Sequence, residues 1–141
     1  MTFVPTQLST VFFQAKNSGV VGSQSRVAKK LKLDSLVNLT TLNLRFSNIS
    51  VIENLDSLVN LTALYLDNNN ISVIENLDSL VNLEILGLEN NNLTTTEFNK
   101  LNTWAILAPS NGKIYTSSNI DNFNLSTTYT TLLGKVWTIF L

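Results

Sequence analysis

The chain has 141 residues, of which 44% are hydrophobic and 13% charged, so we expect one structural domain with one continuous core. It contains no Cys and no His, which excludes disulfide staples, thiolate metal sites, cysteine nucleophiles and imidazole acid–base chemistry. The net charge is −1, but residues 1–33 carry five basic and no acidic side chains, whereas the rest carries four basic and ten acidic ones.

The N-terminal segment, residues 1–32, predicts a helical cap. Apolar residues at i, i+3 and i+4 favour a helix over Thr6–Lys16, and a second helix is predicted over Gln24–Leu31. The basic charge has two interpretations, a solvated helix face offset by the acidic body or an arm that binds nucleic acid or a membrane. We favour the solvated face and expect no nucleic-acid partner.

The first residues also bear on location. They lack the basic and apolar regions of a secretion signal, and no apolar stretch approaches the ~20 residues that cross a bilayer. We therefore expect a cytoplasmic protein with no membrane contact, or a secreted or surface protein if a leader has been removed.

Residues 33–98 divide into three consecutive 22-residue units, Leu33–Asn54, Leu55–Asn76 and Leu77–Phe98. Each opens with Leu-Asp-Ser-Leu-Val-Asn-Leu and continues Leu-x-x-Leu-x-Leu-x-x-Asn/Ser-Asn-Ile/Leu. This pattern resembles leucine-rich repeats of the internalin-like kind. The resemblance implies an α/β solenoid with a parallel concave sheet, an irregular or short-helical convex side, and caps at both ends.

The spacing of apolar residues predicts one short strand in each unit. Leu64 and Leu66 lie two residues apart and so face the core, while Tyr65 and Asp67 face outward. Asn69 and its equivalent Asn91 stand where the leucine-rich-repeat family stacks a ladder of buried asparagines. The first unit has Ser47 at this position, so we expect its coil to be less regular.

Residues 99–141 predict a mixed C-terminal cap. A capping box at Thr94 and Glu97 opens a helix over Thr95–Leu107, and a strand over Lys113–Ser117 follows. We expect a short helix from Ser126 to about Gly134 and a last strand over 136–141. The inward face of the first helix is predicted to carry Phe98, Leu101 and Ala105.

This ending resembles the C-terminal cap of many bacterial and phage leucine-rich-repeat proteins, in which Gly usually directly precedes a Trp. Here Gly134 lies three residues before Trp137, so we expect a different local turn. Trp137 is interpreted as an apolar plug of the terminal core rather than as a ligand-stacking residue.

The first two units are identical at 17 of 22 positions, and their five differences lie on or just after the outward face of the strand. Two interpretations stay open, relaxed drift after duplication and a diversified binding surface. The resemblance favours the concave face for binding, with Tyr65 flanked by Arg45 as the best anchor. The predicted site comprises Thr41, Asn43, Arg45, Ala63, Tyr65, Asp67, Ile85, Gly87, Glu89 and Tyr115.

The predicted function is non-enzymatic protein binding by a monomer, with an unidentified protein partner and no cofactor. No catalytic residues are assigned, because the carboxylates of Asp67 and Glu89 are interpreted as a solvated face. No metal site is assigned either, because the run Asp67–Asn70 lacks the geometry of a calcium loop. The alternatives are a structural spacer in a phage or cell-surface assembly and a truncated repeat protein without independent function.

Overall fold

The computed structural model describes residues 10–12, 36–52 and 55–141. Within these ranges six three-residue strands form one parallel sheet in chain order. Equivalent residues of consecutive units pair directly, as Leu42 does with Leu64 and Leu64 with Leu86, which confirms the predicted solenoid. The strands are β1 Thr10–Phe12, β2 Thr41–Asn43, β3 Ala63–Tyr65, β4 Ile85–Gly87, β5 Lys113–Tyr115 and β6 Thr138–Phe140.

The core follows the predicted alternation along each strand. The central residues of β2 to β5 are fully buried, and the leucines that open the second and third units, Leu55 and Leu77, are 2% and 3% exposed. No unit could bury this apolar face alone, so each coil stabilises its neighbours. The central residues are Leu42, Leu64, Leu86 and Ile114.

A ladder of asparagine side chains lies in the turns that follow β3, β4 and β5. Asn69 Oδ1 accepts the backbone N–H groups of Ser47 and Ile49, both at 3.0 Å. Its Nδ2 donates to the carbonyls of Leu44 and Leu66 at 2.9 and 2.8 Å. One side chain therefore satisfies buried backbone groups of two coils, as predicted.

The ladder continues beyond the repeats. Asn91 donates from Nδ2 to the carbonyls of Leu66 and Leu88 at 3.1 Å. Asn119, in the C-terminal cap, accepts from the N–H of Leu93 at 3.0 Å and donates to the carbonyl of Leu88 at 2.9 Å. Because Asn119 lies 28 rather than 22 residues after Asn91, the repeat spacing did not predict this rung.

The predicted helix over Thr95–Leu107 is two six-residue helices, α1 Thr95–Lys100 and α2 Asn102–Leu107, which meet at Leu101. The N–H of Leu101 bonds to the carbonyl of Phe98, three residues earlier. This tightening keeps residues spaced by three, Phe98, Leu101 and Trp104, on one buried face. The predicted inward residues, including Ala105, are all buried.

The capping box that was predicted for α1 is only half formed. Thr94 Oγ1 accepts the N–H of Glu97 at 3.4 Å, which caps the helix. The carboxylate of Glu97 does not return to Thr94, since its Oε2 accepts the N–H of Ile74 at 2.9 Å. The helix is thereby attached to the second repeat unit.

The remaining cap elements are a 3-10 turn at Phe123–Leu125 and α3 at Thr127–Gly134. Ser126 Oγ accepts the N–H of Tyr129, so it caps α3 as predicted. None of the helices in the described ranges is long and apolar enough to cross a bilayer.

Trp137 is the predicted core plug. It is 4% exposed, its Nε1 donates to the carbonyl of Pro109 at 2.6 Å, and its ring meets Trp104 edge-on at 5.4 Å. A Cβ on Gly112 would lie 2.4 Å from this ring, so Gly112 is the glycine that the plug requires. Val136, directly before Trp137, has φ 61°, the left-handed region that favours glycine.

At the N-terminus the helix predicted over Thr6–Lys16 is wrong at Thr10–Phe12, which form β1. Val11 lies opposite Leu42 in parallel register with β2. The strand satisfies backbone groups that the first coil would otherwise leave unpaired, and Thr, Val and Phe favour this conformation. The rest of that helix and the helix predicted over Gln24–Leu31 lie outside the described residues.

Candidate binding face on the outer side of the sheet

The side of the sheet opposite the core, here called the outer face, carries three rows of side chains that run across the strands. The rows are set by the register of β2 to β6 and by backbone bonds just beyond the strand ends. Row one is Thr41, Ala63, Ile85, Lys113 and Thr138; row two is Asn43, Tyr65, Gly87, Tyr115 and Phe140; row three is Arg45, Asp67, Glu89 and Ser117.

All ten residues predicted for the site lie on these rows, but they are not equally accessible. Ala63, Asp67 and Gly87 are buried and offer a partner little contact area. The other predicted residues are half-buried. The accessible part of the predicted site is Thr41, Asn43, Arg45, Tyr65, Ile85, Glu89 and Tyr115.

At the centre of the outer face, Arg45 and Asp67 form an ion pair. Arg45 Nε donates to Asp67 Oδ2 at 2.6 Å, and the guanidinium carbon lies 4.3 Å from the centre of the Tyr65 ring. The Asp67 side chain is 1% exposed and that of Arg45 is 40% exposed. Asp67 and Tyr65 therefore hold an accessible guanidinium in a fixed place.

Gly87 completes this arrangement, which we call the outer-face cluster (Arg45, Tyr65, Asp67 and Gly87). A Cβ at Gly87 would lie 2.4 Å from Asp67 Oδ1, so only glycine leaves room for the carboxylate. The N–H of Glu89 also donates to Asp67 Oδ1, at 3.3 Å. The solvated carboxylate pair expected at Asp67 and Glu89 is thus wrong for Asp67, which is buried and paired.

Aromatic side chains extend the outer face toward the C-terminal cap. The rings of Tyr115 and Phe140 stack with centroids 4.5 Å apart and planes 6° apart. Phe140 is 41% exposed and was missed in the sequence. The signal for it was alternation within β6, where Ile139 packs against the core and its neighbours face outward.

Phe46 is a second residue that the predicted site omits. It is 59% exposed and has φ 55°, whereas its equivalents in the next two units are Asn68 and Asn90, with φ 58° and 52°. Asn tolerates this left-handed conformation better than a bulky aromatic residue does. The signal was present in the sequence, because Phe46 is one of the five differences between the first two units.

The described residues contain few side chains that could bind a metal ion. Across residues 36–52 and 55–141, no group of three or more Asp and Glu side chains is placed to hold a metal ion. In the run Asp67–Asn70, Asp67 pairs with Arg45 and Asn69 forms the ladder. These side chains serve the coil and the outer-face cluster.

Comparisons with known proteins agree with this architecture. No protein-family model and no curated protein matches the chain. Among the solved structures, internalin C2 of Listeria monocytogenes aligns with a TM-score of 0.56 and 23% identity over 76% of this chain. The match covers 46% of that protein, so the chain spans less than half of its length. The chain therefore has the leucine-rich-repeat fold, as internalin C2 does.

Proposed function

We propose that this chain is a non-enzymatic binding module that holds a protein partner on the outer face of its sheet, centred on Arg45 and Tyr65. The observation that carries the proposal is that the positions at which the repeat units differ contact one another. Leucine-rich-repeat solenoids offer a rigid extended sheet suited to such binding.

The outer-face cluster draws residues from all three units. Arg45 comes from the first unit, Tyr65 and Asp67 from the second and Gly87 from the third, and none of these residues is shared by its equivalents. Independent drift on an exposed sheet does not require an ion pair, a cation–π contact and a glycine that clears the carboxylate to arise together. This mutual fit favours a diversified surface over drift.

An exposed aromatic residue directly after Arg45 supports the same region of the molecule. Phe46 is kept in a left-handed conformation that costs a non-glycine residue about 1–2 kcal/mol, and strain of this kind is typical of functional positions. Aromatic and Arg side chains dominate the energetics of protein interfaces. Phe46, Tyr65 and Arg45 therefore form the core of the proposed contact.

The test is affinity capture on the immobilised full chain, followed by titration of the captured protein. Tyr65→Ala should weaken binding by roughly 30-fold or more, the loss expected for a central anchor of about 2 kcal/mol. The matched control is Val59→Ala, since Val59 is 43% exposed on the segment that precedes the strand. Unchanged affinity for Tyr65→Ala, or equal losses for both variants, contradicts the proposal.

Melting curves test whether a loss of binding in Tyr65→Ala comes from a loss of the fold. Leu66→Ala should lower the free energy of unfolding by about 2–5 kcal/mol, because Leu66 is 1% exposed and its truncation leaves a buried cavity. Tyr65→Ala should cost about 1 kcal/mol, since only its cross-strand and cation–π contacts are removed. If Tyr65→Ala melts as early as Leu66→Ala, the assignment of Tyr65 to the outer face and Leu66 to the core is wrong.

A second candidate, a component of an assembly, is favoured by apolar side chains exposed on the C-terminal cap. Leu125 and Val136 are 70% and 71% exposed, and Ile120 is 64% exposed. In that case Leu125→Asn would abolish capture while Tyr65→Ala would leave it intact. The two candidates therefore predict opposite outcomes with the same pair of variants.

A further inference from the structure

We propose that β6 is a docking edge for a second copy of this chain, and that two β6 strands pair antiparallel about a two-fold axis at Ile139. This inference goes beyond the proposed function and does not depend on it. It departs from the monomer expected from the sequence. The proposal is carried by unpaired backbone groups on β6 and by side chains that suit the pairing.

β6 lies at one edge of the sheet and bonds to β5 through alternate residues. The N–H of Thr138 donates to the carbonyl of Gly112 at 2.9 Å, and the carbonyl of Phe140 accepts the N–H of Thr116 at 2.8 Å. Because successive residues of a strand direct their backbone groups to opposite sides, the N–H and carbonyl of Ile139 point away from β5. Within the described residues, no strand pairs with β6 on that side.

The backbone groups on the free edge are complementary to themselves. They are the carbonyl of Trp137, the N–H and carbonyl of Ile139, and the N–H of Leu141, and none has a hydrogen-bond partner among the described residues. In an antiparallel pair centred on Ile139, this residue exchanges two hydrogen bonds with its equivalent in the second copy. The N–H of Leu141 then reaches the carbonyl of Trp137 in the other copy, and the symmetry repeats this bond.

The side chains of β6 suit the same register. Phe140, which is 41% exposed, comes to lie directly opposite the exposed Thr138 of the second copy. An aromatic residue opposite a β-branched one is a favourable cross-strand pair. Val136 and Leu141, at the two ends of the strand, are 71% and 58% exposed. Because opposite residues of antiparallel strands lie on the same side of a sheet, the outer faces of the two copies form one continuous surface.

The strand also lacks the features that usually protect an edge. Natural edge strands are blocked by charged side chains, proline or bulges. Residues 136–141 include neither a charged side chain nor proline. The preceding residue, Lys135, donates from Nζ to the carbonyls of Ile106 and Ala108, so its charge is held at the end of α2. Two β6 strands therefore meet without like charges on their side chains.

Sedimentation velocity of the full chain, from roughly 10 µM to 1 mM, tests for the dimer. Because a three-residue strand gives a small interface, we expect a reversible monomer–dimer equilibrium with a Kd of about 100 µM. A chain that stays monomeric at the highest concentration overturns the proposal. Growth beyond the dimer overturns it as well, because two-fold pairing closes at two copies.

Hydrogen exchange locates the contact. With this Kd roughly a fifth of the chains stay monomeric at 1 mM, so the amides of Ile139 and Leu141 should exchange about five-fold more slowly there than in dilute solution. The amides of Thr138 and Phe140, which already face β5, should change less. A dimer that leaves the amide of Ile139 unprotected uses another surface and contradicts the pairing.

A charge on the edge should prevent the pairing. Thr138→Lys changes an exposed side chain and should weaken the dimer by about ten-fold or more. Thr103→Lys, the same change at an exposed position of α2, is the matched control and should leave the dimer intact. Melting curves check that both variants fold. Equal dimerisation of the two variants overturns the proposal.

Discussion

Phe46 is the residue at which the proposed binding role would be in conflict with stability. It adopts φ 55° where the equivalent Asn68 and Asn90 adopt nearly the same angle with a side chain suited to it. Phe46→Asn should therefore raise the free energy of unfolding by about 1 kcal/mol, since the left-handed conformation is less costly for Asn. Urea denaturation measures this change.

Phe46→Asn should also weaken the binding of the captured partner, because Phe46 is 59% exposed and therefore available for contact. Asn68→Ser is the control, since it changes the equivalent position of the second unit without removing an aromatic group. A Phe46→Asn protein that gains stability and binds its partner fully would show that Phe46 is a product of drift.

At the scale of elements, the asparagine ladder links the C-terminal cap to the repeats. Asn119 accepts one backbone N–H and donates to the carbonyls of Leu88 and Thr116 at 2.9 Å. Asn119→Ala should cost about 2–3 kcal/mol, because these partly buried backbone groups lose their partner.

Asn82→Ala is the matched comparison. The exposed Asn82 makes a single bond, to the carbonyl of Val59 at 2.8 Å, and its loss should cost less than about 1 kcal/mol. Chemical denaturation of Asn119→Ala and Asn82→Ala measures the two losses in the free energy of unfolding. Equal and small costs would mean that the cap does not depend on the ladder.

The elements also show which parts of the fold could be read from the sequence. Leu64, Asn69 and Trp137 were placed correctly, because the strand period, the repeat and the need for a terminal plug each constrain one position strongly. β1 was missed, because the apolar spacing at Val11 also suits a helix and only pairing with β2 decides against it. The break at Leu101 was missed because burial of Phe98, Leu101 and Ala105 suits a continuous helix equally well.

The site was less predictable than the fold. The ten outward positions followed from strand alternation. Alternation does not indicate how deeply an outward residue is buried, so the burial of Asp67 and Gly87 was not foreseen. Their contact with each other involves adjacent strands 20 residues apart in sequence. Phe140 was missed because the stacking partner of Tyr115 comes from a cap strand outside the 22-residue period.

For the whole molecule, the proposed function assigns stability to the inner side of the described sheet and binding to its outer face. The leucines and the asparagine ladder fill the inner side, and the five differences between the first two units lie on the outer face or just after it. If this division is correct, substitutions on the outer face change binding with little effect on folding.

The central claim, that the outer face is where the partner binds, is tested most directly by mapping the contact. Backbone amide resonances of the isotope-labelled full chain are recorded before and after addition of the captured partner. The account predicts that the shifts concentrate at Asn43–Phe46, at Tyr65–Asn68 and around Gly87–Glu89. Shifts confined to α1, α2 and α3, with these segments unperturbed, would contradict it.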